Sequence, residues 1–118
     1  MNKQINTGLP GLRGTDHIVL TVPNLEEALA FFVDIIGCEP FYELGPFDDG
    51  LWMEQTLGVD KKTVMNKLRF LRCNNGSNFE LFEYSAPNKN KTQPKHNDIC
   101  VHDIALHVDN CYPSLDTL

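Results

Sequence analysis

The sequence predicts a small α+β domain with the element order β-α-β-β-β. Three observations carry that expectation. Residues 16–22 alternate apolar and polar side chains and lead straight into an apolar pattern at helical spacing. Residues 64–73 and 78–84 read as two strands joined by Asn74-Asn75-Gly76-Ser77, a strong hairpin signal. The pattern of the first strand then returns near the end of the chain, as the start of a second copy of the same unit.

In the first strand, Ile18, Leu20 and Val22 share one face and His17, Val19 and Thr21 the other. Pro23-Asn24 then opens a helix. Asn24 is a good N-cap, and Glu27 stands three residues on, where a capping box places it. Leu25, Ala28, Leu29, Phe32 and Ile36 form the apolar stripe, and Gly37 stands where a left-handed C-cap belongs. Phe31 and Val33 widen the stripe, which predicts a well-covered helix. Residues 39–44 read as the second strand. Residues 45–50 form a break rich in Gly, Pro and Asp, and residues 51–57 a short helix or lid anchored by Trp52 and Met53. Residues 64–73 and 78–84 are the third and fourth strands. In the fourth, Phe79 and Leu81 share the face that meets the helix, which leaves Glu80, Phe82 and Tyr84 on the opposite face. Residues 85–97 are polar and rich in Pro, Lys and Asn, which marks a linker.

A fifth apolar strand is expected over residues 100–108. The segment from Asp103 to Val108 lines up with the segment from His17 to Val22, Asn110 with Asn24, and Leu115 with Leu29. The domain reading is therefore an N-terminal arm (1–14), a first βαβββ module (15–85), a linker (86–99), and the opening strand and helix start of an incomplete second module (100–118).

Length and charge narrow the function classes. The chain has 118 residues, one domain's worth, and a net charge of -6. An acidic chain lacks the Lys/Arg surplus that nucleic-acid binding needs. Lys89, Lys91 and Lys95 are interleaved with Asn, Thr and Pro and read as a solvated linker. Nothing in the sequence resembles a secretory leader or a membrane span, and Cys38, Cys73, Cys100 and Cys111 form no CxxC pair. A cytoplasmic setting with reduced thiols is the expectation.

The segments GTDHIVLTVPNLEEALAFFVDIIGCEP, RFLRCNNGSNFELFEYSAP and VHDIALHVDN together resemble the vicinal oxygen chelate superfamily of glyoxalases, bleomycin-resistance proteins and ring-cleaving dioxygenases. The likeness runs from about residue 12 to the end of the chain. It implies paired βαβββ modules whose curved sheets wrap a metal or ligand cavity. Metal-binding members take one ligand from the first strand and one from the fourth strand of each module, which here are His17 and Glu80. A His and a carboxylate suit a divalent ion such as Zn, Ni, Co, Mn or Fe. Bound there, the ion acts as a Lewis acid on neighbouring substrate oxygens.

Two departures from the family pattern stand out. Asp103 occupies the second-module position equivalent to His17, and His102 lies one residue earlier, which points a strand side chain to the other face. Either Asp103 ligates, with His107 on its face, or it only caps or hydrogen-bonds. Second, residues 101–118 are too few for a whole module. A homodimer pairing two first modules is the expected remedy, since it brings two copies of His17 and Glu80 together. An exchange of the fifth strand between chains is an alternative.

The leading expectation is a metal-dependent lyase, isomerase or dioxygenase acting on a small oxygenated metabolite. In that reading Glu80 also serves as base, and Phe47, Trp52, Phe82 and Tyr84 line the cavity. The rivals are a metal-free module that binds or sequesters a small molecule, and a truncated remnant with no ligand.

Overall fold

The computed structural model describes residues 8–74, 76–100 and 103–110. Its regular elements are β1 (His17–Thr21), α1 (Leu25–Leu29) continuing into a π-helical stretch (Ala30–Ile36), β2 (Glu39–Leu44), α2 (Gly50–Leu57), β3 (Val64–Arg72) and β4 (Asn78–Ser85). The expected α+β class and βαβββ order hold, with a short second helix inserted between β2 and β3.

The helix begins and ends on the residues its sequence marks. The Asn24 side chain accepts from the Glu27 N–H at 3.0 Å. Gly37 closes the helix at φ 92°, a conformation that costs glycine little. The register widens from α to π at Ala30, a change the apolar spacing did not signal. The expectation of a well-covered helix is corrected as well. Phe32 is buried, but Phe31 and Ile35 are each 43% exposed, because one sheet face contacts only one side of the helix.

The four strands form one sheet in the order β1-β4-β3-β2. β1 runs parallel to β4, with Val19 opposite Glu80, and the other pairs are antiparallel. Side chains alternate across this sheet and build two apolar clusters. On the helix side, Leu25, Phe32, Cys38, Leu71, Phe79 and Leu81 pack together. On the other side, Met53 from α2 is fully buried against Met65 and Leu68 of β3. Gly50 lets α2 start here: any Cβ at this position would collide with the Lys61 carbonyl.

A carboxylate from the sheet ties the two layers. Glu83 Oε1 accepts the Leu25 N–H at 2.8 Å, an orphan donor of the first helical turn. Its Oε2 accepts from Asn66 Nδ2 at 3.0 Å, at the β3 bulge. These two hydrogen bonds, the Leu25 one foremost, hold the Glu83 carboxyl below its ordinary value of 4.5. The folded state therefore gains from the ionised group at any pH above 4.5, and that gain is lost as pH falls through the lowered folded value. Glu83→Ala is expected to cost about 1–2 kcal/mol at neutral pH. Urea unfolding should show the gap to the parent narrowing in acid; a gap independent of pH would assign the loss to packing instead.

Residues 86–100 form turns without helix or strand, and residues 103–108 form no strand either. The remaining positions of the expected fifth strand and second helix, 101–102 and 111–118, lie outside the described residues, as does the N-terminal part of the expected arm, 1–7. No helix among the described residues is long and apolar enough to cross a membrane.

Candidate functional site

The face of the sheet away from α1 carries a polar pair beside an apolar cavity. His17 leaves β1 on this face because its neighbours Ile18 and Leu20 point toward the helix side. Its Nδ1 lies 2.8 Å from Asp16 Oδ2, and its Nε2 lies 3.4 Å from Glu80 Oε1. The imidazole meets the Phe70 ring edge-on, with centroids 5.2 Å apart. One nitrogen is thus anchored by an exposed carboxylate while the other faces Glu80. Histidines that bind metals are commonly oriented in this way by an outer carboxylate.

Glu80 stands at the edge between this polar pair and the apolar wall. Its side chain is only 12% exposed. Burial raises its carboxyl above the usual carboxylate value, and His17 opposes that rise in part. Tyr84, further along the same face of β4, is raised as well, first by burial and then by the charge of Glu80. Its hydroxyl accordingly stays protonated and able to donate.

The cavity has a volume of about 400 Å³. Glu80, Phe82 and Tyr84 form its β4 wall, and Phe47 and Trp52 close it from the connection between β2 and β3. Phe82 and Tyr84 stack at 5.5 Å with nearly parallel rings. Phe47 meets Trp52 edge-on at 5.5 Å. Phe47 is pinned by paired backbone hydrogen bonds to Met65, both 2.9 Å. Trp52 is 49% exposed, so it serves as a wall of the cavity, and the buried anchor of α2 is Met53. Val19, Leu44, Met53, Leu57, Met65 and Leu68 complete the lining. Of these, Val19 and Met53 stood out in the sequence, the one on the His17 face and the other as an anchor, and none was expected in the lining. The alternation in β1 and β3 was the available signal for Val19 and Leu68; of the side chains α2 brings, Trp52 was expected in the lining and Leu57 was not.

The structure thus brings His17, Glu80, Phe47, Trp52, Phe82 and Tyr84 to one face. It does not bring Asp103 or His107 to them. Those two line a different cavity of about 850 Å³, on the helix side, with Ile18, Leu20 and Phe79. The whole segment 103–108, side chains of both parities, faces this cavity opposite Ile18 and Leu20, on the side of β1 away from His17. Asp103 Oδ2 is 3.4 Å from His96 Nε2, and both side chains are largely exposed. Among the described residues no group of three or more His, Cys, Asp or Glu side chains is placed to hold a metal ion.

No protein-family model matches the chain. The chain is similar to the 2-epi-5-epi-valiolone epimerase of an Actinomyces species, with 39% identity over 101 residues. The matched region is 86% of this chain and 55% of that protein, so the chain spans about half the length of the curated relative it matches.

Proposed function

We propose that this chain carries one wall of the active site of an isomerase of the vicinal oxygen chelate type, in which Glu80 moves a proton at a carbon next to a carbonyl. The observation that carries this reading is the placement of Glu80. It is a nearly buried carboxylate, raised by burial, held 3.4 Å from His17 and opening onto an apolar cavity of metabolite size. A carboxylate raised in this way is a better base near neutral pH than an exposed one. The similarity to an epimerase supports the reaction class.

Inversion beside a carbonyl runs in two moves. Glu80 takes the proton from carbon, and the electron pair passes onto the carbonyl oxygen. A proton then returns to the opposite face of that carbon. Tyr84, kept protonated by its surroundings, supplies a donor for the charge that builds on oxygen. Phe82, Tyr84, Phe47 and Trp52 hold the carbon skeleton and exclude water.

His17 and Glu80 fit a divalent ion as two N/O ligands, with His17 already oriented by Asp16. A bound ion supplies Lewis acidity to adjacent substrate oxygens. Two ligands are too few for a catalytic centre. The others, with the opposite wall of the cavity, come in this reading from a second βαβββ unit, either a further module or the equivalent face of a second copy.

The test uses 2-epi-5-epi-valiolone in D₂O with the protein, followed by NMR, with Zn, Ni, Co, Mn or Fe each supplied in turn. Loss of one C–H signal beside the carbonyl, with a second epimer appearing, is the expected result. No exchange under any of these conditions overturns the isomerase reading. Ligand-induced stabilisation without exchange would favour the metal-free binding module, because a ligand that binds only the folded state raises its melting temperature.

A further inference from the structure

Cys38 and Cys73, neither of which lines the Glu80 cavity, stand side by side just beyond the end of the β2–β3 pair. β2 pairs with β3 through Glu39 opposite Arg72. Cys38 and Cys73 stand one residue beyond that pair, and a hydrogen bond joins their side chains. Cys38 is 4% exposed within the helix-side core, and Cys73 is half-buried against it. Both line one surface cavity of about 420 Å³, together with Arg72 and Asn74. The Cys38 N–H donates to the Phe32 carbonyl at 2.8 Å, and the Cys73 carbonyl accepts from Gly76 at 3.0 Å. The two residues therefore do not exchange a pair of backbone hydrogen bonds. Antiparallel neighbours that exchange no such pair stand with Cα atoms about 4.5 Å apart, the spacing expected for a pair that continues this ladder by one residue. A disulfide tolerates a Cα separation of about 4.4–6.8 Å.

We propose that Cys38 and Cys73 form an oxidisable dithiol, which closes to a disulfide on reaction with a small hydroperoxide. Cys73 is the more accessible sulfur and reacts first. The Cys73 thiol gives up its proton, its sulfur attacks the O–O bond and becomes a sulfenic acid, and the other oxygen leaves as hydroxide, or as alkoxide from an organic hydroperoxide, and takes up that proton to become water or an alcohol. Cys38 sulfur then attacks the Cys73 sulfur. The S–S bond forms, the S–O bond breaks, and the Cys38 proton leaves with the hydroxyl as a second water. The two thiols together give up two electrons and two protons, and the peroxide is reduced by the same two electrons.

The environment suits this order. Burial pushes the Cys38 thiol up to about 11, and both the negative charge of a Cys73 thiolate and the hydrogen bond between the two side chains add to the rise. Cys38 thus stays protonated while Cys73 meets the oxidant. The chain between the two cysteines carries β2, Phe47, Trp52 and β3. Closing the bridge ties the base of the segment that forms one wall of the cavity, and the melting temperature should rise, because a cross-link restricts the unfolded chain.

The full chain is exposed to stoichiometric hydrogen peroxide, alkylated under denaturing conditions, digested and mapped by mass spectrometry. The expected product is a cross-linked peptide joining Cys38 to Cys73, which dithiothreitol separates, with both sulfurs protected from alkylation. In Cys73→Ser the cross-link should vanish and Cys38 should remain alkylatable. The mapping of the parent chain needs no variant to fold. Three results would overturn the proposal: Cys73 driven to sulfinic acid while Cys38 stays alkylatable, a cross-link from either residue to Cys100 or Cys111 in place of the pair, or full alkylation of both.

Discussion

Glu80→Gln is expected to lower proton exchange at the substrate carbon by about 10²–10⁴-fold, the range a positioned general base contributes. The amide keeps the shape of the side chain and removes its basicity. Stability should change little, because Glu80 lies at the cavity edge and, among the described residues, its ion-pair partner is the half-exposed His17. Relief of an unfavourable burial and loss of the His17 contact act in opposite directions on the folded state. The measurement is deuterium wash-in by NMR beside a thermal melt of the same sample. Exchange at the parental rate in a folded Gln variant would remove Glu80 from the chemistry and leave it a binding residue. A Phe82→Leu variant is the useful companion: it should weaken substrate binding more than it slows exchange at saturation, since Phe82 lines the wall without offering a proton acceptor.

Leu81→Ala should be the more damaging substitution for the fold. Leu81 is fully buried in β4, which lies between β1 and β3, and its side chain packs in the helix-side cluster with Phe32, Leu71 and Phe79. Truncation there removes transfer energy and leaves a cavity among residues held by backbone pairing on both sides, at a cost of about 3–5 kcal/mol. Val19→Ala, one strand over on a side chain 45% exposed, should stay within about 1 kcal/mol. Urea titration of the two variants beside the parent makes the comparison. A small loss at Leu81 would mean that the helix and sheet close up around the gap, and that the cluster is softer than its burial indicates.

Glu80 and Leu81 are adjacent in sequence and opposite in role, and that opposition was legible from the sequence. Alternation in a strand is a local property set by the pleat, so Phe79 and Leu81 had to share one face and Glu80, Phe82 and Tyr84 the other. The same local physics marked Asn24 and Gly37 as the ends of the helix, and put His17 on the face of its strand opposite Ile18 and Leu20. It also misled. Alternation in residues 103–108 matched the first strand, yet the described residues there form no strand and line a cavity on the side of β1 away from His17. A periodic pattern states which side chains agree with one another, and it does not state what they will meet.

Partnership was therefore left to the tertiary structure. The order β1-β4-β3-β2 sets the first strand beside the fourth, which is what brings His17 to 3.4 Å from Glu80. The turn of the chain back onto the sheet puts Trp52 and Phe47 over the cavity, gives Glu83 the Leu25 N–H, and sets Cys38 beside Cys73. Each of these contacts joins residues on different elements, and their formation depends on which edges and faces close over which. The sequence by itself determined the elements, their caps and the face each side chain takes, because backbone geometry and periodicity act within a few residues. The structure alone decided which faces meet, because that choice is made by burying apolar surface between segments remote along the chain.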